Sequence, residues 1–407
     1  MDWEVKKIND FAEFVGSGVT PKGGQSVYKT KGIPFVRSQN VYPDGLRLDN
    51  VAYIDEKQND KMKRTEFKEN DILLNITGAS IGRCTYVPEG FGRGNVNQHV
   101  CIIRTNKTVS LKYISLYINS PFVQKQIEAL NTGSSREGLN FQQVRRLNIC
   151  LPKMDEQVAI ENIIITIDVQ IERTESLIEK TKELKKGLMQ RLLTKGIGHT
   201  EFKETEVGII PKAWRVNRII DVADTASGGT PSRSKKEYYE NGIIPWVKTG
   251  ELGKKYIYDT EEKITQEAIK KSSAKLIPIN SVLIAMYGAT IGKTSITKNV
   301  VSTNQASCAV ICKLSQLDYE YLYYISSFYK EKLIELGAGG AQPNISQQLI
   351  KEFKIPVPNI KEQKNISDIL STFDRKIEQY EIEKQKYQQL KQGLTQKLLI
   401  GKIRVKV

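Results

Sequence analysis

Residues 3 to 196 of this 407-residue chain return, with substitutions, as residues 214 to 402, and this internal duplication constrains the fold more than any other feature. Trp3-Glu4-Val5-Lys6-Lys7-Ile8 returns as Trp214-Arg215-Val216-Asn217-Arg218-Ile219, and Thr20-Pro21 as Thr230-Pro231. Gly78-Ala79-Ser80-Ile81-Gly82-Arg83 returns as Gly288-Ala289-Thr290-Ile291-Gly292-Lys293, and Asn97-Gln98 as Asn304-Gln305. The offset begins at 211 (Trp3 to Trp214) and closes at 206 (Leu193 to Leu399), so the copies differ by short insertions. A period of about 200 residues is a domain with its connection, not the short unit of a solenoid.

The match is tightest where each copy closes. Glu156-Gln157, Ile160, Asp168, Ile171-Glu172, Leu184-Lys185, Gly187-Leu188 and Leu192-Leu193 recur as Glu362-Gln363, Ile366, Asp374, Ile377-Glu378, Leu390-Lys391, Gly393-Leu394 and Leu398-Leu399. No proline interrupts 156 to 193. Ile164, Ile167, Ile171, Thr174, Ile178, Thr181, Leu188 and Leu192 follow steps of three and four, broken by Lys185. The second copy gives Leu370, Phe373, Ile377, Tyr380, Tyr387, Leu394 and Leu398, broken by Lys384 and Lys391. An a/d seam held for about five heptads predicts two long helices whose simplest partners are each other. Thirty-eight helical residues (156 to 193) would span roughly 57 Å. The second helix start carries a cap signature, Asn359 with Glu362 three residues later; Lys153 stands at the matching place in the first.

The parts between the helices read as mixed α/β. Runs such as 71–76 and 282–285 suit strands ending at glycine-rich turns, and 110–130 and 318–336 suit helices. The predicted fold class is therefore mixed α+β: two similar globular domains joined by two long antiparallel coiled-coil helices, with an internal pseudo-two-fold. The expected division is domain 1–151, long helix 152–196, linker 197–213, domain 214–357 and long helix 358–402.

Lys and Arg number 61 against 46 Asp and Glu, a net charge of +15, spread through the chain instead of concentrated in a tail. Such a surplus favours a polyanionic partner. No run approaches the roughly 18 apolar residues of a membrane span, and the N-terminus lacks a signal-peptide pattern, so a cytoplasmic protein without membrane attachment is expected. Loops mixing Arg or Lys with Asn, Gln and Thr suit phosphates and base edges. In the first copy these are Lys22, Gln25, Arg37, Gln39, Asn40, Arg83, Arg93, Asn97, Gln98 and Arg136. In the second they are Ser232, Arg233, Lys235, Lys248, Thr249, Lys293, Gln342 and Asn344. Asn97 and Asn304 equally suit the bracing of turns.

Catalytic motifs are missing. Gly288-Ala289-Thr290-Ile291-Gly292-Lys293-Thr294 has three residues between its glycines where a phosphate-binding P-loop needs four, and its first-copy equivalent lacks both Lys and Thr. A tight turn with glycines at positive φ fits better. No Asn/Asp-Pro-Pro-aromatic, His-Glu-x-x-His or Gly-x-Ser-x-Gly motif occurs. Five cysteines without a Cys-x-x-Cys pair, and two histidines, form no zinc-ligand pattern, so no metal is expected. A carboxylate at each helix start, Glu156 and Glu362, is favourable beside the helix dipole.

The Glu-Gln-x-x-Ile helix starts, Leu-x-x-Gly-Leu-x-Gln-Arg/Lys-Leu-Leu at 184–193 and 390–399, the junction from Thr194-Lys195-Gly196-Ile197 to Trp214, and the ending Leu398 to Val405 together resemble the specificity subunit of a type I restriction-modification system. The resemblance implies that each globular part is a target-recognition domain reading one half of a bipartite, asymmetric duplex DNA site. It implies that the helices set the spacing and carry two methyltransferase subunits, which bind S-adenosylmethionine, and that endonuclease/translocase subunits join to restrict. The chain itself would then be non-catalytic and hold no cofactor. A single-chain enzyme would instead bind a cofactor unaided, and a non-DNA scaffold would lack the salt dependence of phosphate contacts.

Overall fold

The two heptad-patterned stretches form helices Met154–Lys195 and Ile360–Leu398, of 42 and 39 residues. The computed structural model describes residues 3–131, 138–337 and 344–405, and of residues 24 and 25 the backbone alone. Burial follows the seam: Ile164, Ile167, Thr174, Ile178 and Leu192 are buried on the first helix, and Leu370 and Leu398 on the second. The interrupting lysines have partners. Lys185 meets Asp374, Lys384 meets Glu175 at 2.7 Å and Lys391 meets Asp168 at 2.5 Å, each across to the other helix. Their aliphatic stems continue the apolar stripe while the ammonium groups reach carboxylates at its edge. Partner numbers fall on one helix as they rise on the other, so the pairing is antiparallel. No described helix is long and apolar enough to cross a membrane.

The chain divides into two compact units, residues 1–175 with 382–407, and residues 176–381. Each unit thus joins a globular part, the first half of the helix that follows it, and the last half of the other helix. The contiguous boundaries expected from the sequence, 1–151 and 214–357, omit this exchange. An amphipathic helix end carries no local sign of which core it enters. The expected linker 197–213 is also structured: Phe202–Thr205 and Gly208–Pro211 form an antiparallel hairpin, with Ile210 buried in the second unit's core.

In the first unit an antiparallel sheet runs in the order Ala12–Ser17, Val100–Thr105, Ile72–Asn75, Cys84–Tyr86. A second runs Ala52–Ile54, Ile33–Val36, Gly94–Val96, Glu66–Phe67, its central pair parallel. The central strands of the first sheet carry apolar runs because both faces are covered. Leu73 and Ile102 face Val36, Phe67 and Val96 of the second sheet. Ile72, Leu74, Cys101 and Ile103 pack instead with Ile160, Ile164, Leu398 and Leu399 of the long helices. The predicted helix 110–130 is two, Leu111–Ile118 and Pro121–Asn131, since Pro121 has no N–H to continue the first.

The second unit repeats this plan. Its larger sheet runs Ala223–Ser227, Ser307–Cys312, Val282–Ala285, Thr294–Thr297, Tyr256–Ile257. Its smaller one runs Lys263–Ile264, Ile244–Val247, Ser302–Thr303, the last two parallel. The fifth strand, Tyr256–Ile257, is a divergence: in the first unit the corresponding stretch forms a separate hairpin, Val41–Tyr42 with Gly45–Leu46. Lys255, beside that strand, bonds Tyr324 Oη at 2.7 Å and Ser371 Oγ at 2.8 Å, tying the sheet to the second long helix.

The repeated Glu-Gln pairs are clasps. Glu156 accepts Trp3 Nε1 at 3.1 Å and Arg404 Nε and Nη2 at 2.7 and 2.9 Å. Glu362 accepts Trp214 Nε1 at 3.0 Å, the Ile197 N–H at 3.0 Å and His199 Nε2 at 2.9 Å. Each glutamate therefore fastens the first tryptophan of its copy to the segment leaving the other helix. Gln157 and Gln363 accept the backbone N–H of the helix caps Ser110 and Asp318 at 2.9 and 2.8 Å and donate to Pro152 O and Pro358 O. Asn359 caps as predicted, accepting the Glu362 N–H at 3.0 Å, but the Glu362 side chain serves the clasp instead of closing a capping box.

Candidate nucleic-acid interface

Strand direction gathers most of the candidate loops at one end of each unit. In the first unit, Ile33–Val36 and Gly94–Val96 are parallel, so Arg37-Ser38-Gln39 and Asn97-Gln98 leave the sheet on the same side. Asn75 lies opposite Val100, and Cys101 opposite Ser17, which brings the 76–83 turn and the 18–22 segment there as well. Thr20 donates to Gln98, and Asn75 Nδ2 donates to Ser38 O at 2.8 Å and Ser80 Oγ at 3.1 Å, so these loops form one surface. The turn has Gly78 and Gly82 at φ +75° and +85°, the left-handed conformation predicted for it.

Lys22, Gln39 and Gln98 are exposed on this surface, and Arg37 and Arg83 half-buried. Arg37 lies over Tyr28, its guanidinium carbon 5.5 Å from the ring centre, and Arg83 over Tyr42 at 5.0 Å. Among the described residues none of Lys22, Arg37 or Arg83 pairs with a carboxylate, so their charge is available to phosphate. Asn40 and Asn97 do not face out. Asn40 accepts the Arg37 N–H at 3.0 Å and donates to Arg47 O at 2.8 Å; Asn97 accepts the His99 N–H at 3.1 Å. Both are buried braces of turns. Arg93 is elsewhere. It precedes Gly94–Val96 at the end of that strand opposite Asn97-Gln98, and pairs with Glu56 at 2.5 Å. Arg136 and the Gln25 side chain lie outside the described residues.

The second unit gathers Lys248-Thr249, Asn304-Gln305, the 286–293 turn and the 228–235 segment in the same way. Thr230 donates to Gln305 as Thr20 does to Gln98. Lys293 is exposed and pairs with no carboxylate among the described residues. Ser232, Lys235 and Asn344 are exposed too, while Gln342 lies outside the described residues. Arg233 stacks over Tyr239 and Trp246, at 4.5 and 5.1 Å from their centres, and pairs with Glu262 at 2.7 Å. Lys248 reaches the same carboxylate at 3.6 Å. The Arg233 guanidinium holds the Glu262 carboxyl below the usual carboxylate range. Half of this unit's basic candidates are thus already partly neutralised.

The description "Type I restriction modification DNA specificity domain" matches residues 1–183 and again 211–392. The chain belongs to the type I restriction-modification DNA specificity family. The MjaVIII specificity subunit of Methanocaldococcus jannaschii is 28% identical over 417 residues, covering 100% of this chain and 94% of that protein. The EcoR124I/EcoR124II specificity subunit of Escherichia coli is 35% identical over 178 residues, 42% of each. The crystal structure of the type I system S subunit from M. genitalium has the same fold, with a TM-score of 0.58 at 16% identity over 98% of this chain and 96% of that one. The HsdS subunit from Thermoanaerobacter tengcongensis gives 0.54 at 18%, over 98% and 97%.

For this specificity-family chain, several participants escape single-residue reasoning. Thr20, Thr230, Ser38, Asn75 and the aromatic supports Tyr28 and Tyr42 shape the surface without being charged. One signal for them was present: Thr-Pro and Asn-Gln recur together in both copies, and they prove to be hydrogen-bonded partners. Cys84, Cys101 and Cys308 are buried in the cores of the two units. Burial pushes the Cys84, Cys101 and Cys308 thiols up to about 12, which keeps them protonated at neutral pH.

Proposed function

We propose that this chain is the non-catalytic DNA-reading subunit of a type I restriction-modification complex, with each unit reading one half of a bipartite duplex site. The observation that carries this is the gathering, in both units, of exposed amide and basic side chains at equivalent strand ends. Free lysines and arginines there supply phosphate contacts that fix register; amides and hydroxyls beside them suit base edges. The reading residues are Lys22, Arg37, Gln39, Arg83 and Gln98 in the first unit, and Ser232, Arg233, Lys235, Lys248, Thr249, Lys293 and Asn344 in the second. They differ at nearly every position, so the half-sites should differ. The two long helices set the gap between half-sites and carry two methyltransferase subunits, one per repeated frame, with endonuclease/translocase subunits joining them.

Reconstitution tests this reading. The chain alone should neither methylate nor cut DNA, and should not retain S-adenosylmethionine. Mixed with modification subunits of its system, it should confer site-specific adenine methylation, and the complex should weigh as two modification subunits per chain. Robust methylation by the lone chain, or a one-to-one complex, would overturn it.

A further inference from the structure

A cleft of about 760 Å³ opens in the second unit beside the turn at Gly292. Lys254, Lys293 and Lys330 line it, with Tyr258, Thr294 and Ser327. Two carboxylates on its wall are already committed. Glu251 accepts the Lys248 N–H at 2.9 Å and the Glu261 N–H at 3.0 Å, and Asp259 pairs with Lys263 at 2.9 Å. Among the described residues Lys254 and Lys293 have no ion-pair partner, and Lys330 has only its neighbour Glu331 at 3.8 Å. Three weakly compensated ammonium groups in one concavity focus a positive potential. Compact ammonium charges without a planar fork suit phosphate as point contacts.

Two of the glycines that line it keep it open. Gly253 and Gly292 have φ of +120° and +73°, and a Cβ on either would meet a lining lysine: Lys293 Cδ at 3.3 Å from the first, Lys330 Cγ at 2.7 Å from the second. Side chains there would displace the ammonium groups from the wall. The cleft also adjoins the reading loops. Its first lining residue, Gly250, follows Lys248-Thr249 directly, and Lys293 closes the 286–293 turn. Tyr258 at the rim is 62% exposed and offers a ring face to sugar or base. The first unit fills the corresponding place differently. Gln124 stands over Gly82 and donates to Gly82 O at 3.0 Å and Ile118 O at 2.8 Å, while Arg83 is laid on Tyr42.

We infer that this cleft holds a phosphate of the DNA backbone flanking the second half-site, an interaction the first unit lacks. The inference rests on the DNA-reading role proposed above. The test uses the full chain and a duplex recovered from a random pool by binding, with affinity measured across a salt series. For Lys254→Gln/Lys330→Gln, which spares the reading residue Lys293, the slope of log K against log salt should become shallower by about one for every phosphate that is no longer neutralised. Affinity should fall about tenfold or more while the selected bases stay the same. The corresponding double Lys→Arg variant should keep the slope. Neutral methylphosphonates in the flank of the second half-site should weaken wild type and leave the Gln variant unchanged. An unchanged slope in the Gln variant overturns the inference. So does saturable binding of inorganic phosphate that the variant loses while its DNA slope persists, since that assigns the cleft to a free anion. A wild-type chain with no preference among duplexes would instead defeat the DNA-reading role itself.

Discussion

Glu156 is buried at a helix start and fully engaged by Trp3 and Arg404, whose guanidinium holds its carboxyl below the usual carboxylate range. A carboxyl that protonates at lower pH in the folded chain than in the unfolded one adds stability at neutral pH. That contribution is complete above the unfolded value, near 4.5, and fades as pH falls through the lowered folded value. Glu156→Gln should therefore destabilise the first unit at about pH 7 and cost progressively less as pH falls below the unfolded value near 4.5, as measured by denaturant unfolding across a pH series. A cost that does not change with pH would mean the charge is irrelevant. The proposed reading surface gives a second residue-scale contrast. Arg37→Ala, at the gathered strand ends, should weaken DNA binding by about 1–3 kcal/mol, and Arg93→Ala, ion-paired at the far end of its strand, by less than about 0.5 kcal/mol in the same titration. Position along the strands, not residue type, separates them, which is why both looked alike in the sequence.

The long helices were legible because a heptad seam is a local, repeating signal, and even the lysines that broke it were informative: each finds a carboxylate on the other helix. Their destinations were not legible. Leu398 and Leu399 belong to the core built around Ile72, Tyr113 and Ile160, more than two hundred residues away in sequence. Leu398→Ala should thus cost the first unit about 2–5 kcal/mol, followed by its own unfolding transition, and leave the second unit's transition in place. The strands were read from apolar runs, and the glycine turns from the φ > 0 they require. Which residues face out on the candidate surface was not legible, since Asn40 and Asn97 have the right chemistry but spend it on turn backbone. The ion pairs also fix a register for shortening the frame. Residues 168–174 lie opposite 385–391, so deleting both heptads preserves the seam and removes about 10 Å of helix. The unspecified gap in the DNA target should shrink by about three base pairs, measured by selecting bound duplexes, with both half-sites retained; an unchanged gap would refute the spacer role.

At the scale of the whole molecule, duplication is the organising fact. Two copies of one frame each bring a globular part, a clasped tryptophan and a set of loops to equivalent positions, while the loop chemistry has diverged. The first unit presents bare Arg37 and Arg83 on tyrosine rings; the second presents Arg233 and Lys248 sharing Glu262, with an added lysine cleft. Equal frames with unequal surfaces suit a target of two unequal parts, read together. The most direct test is to select duplexes bound by the full chain from a random pool and align them. Two short specified blocks of different sequence, separated by an unspecified gap of fixed length, are expected. A single continuous block, or a perfect palindrome, would contradict the account.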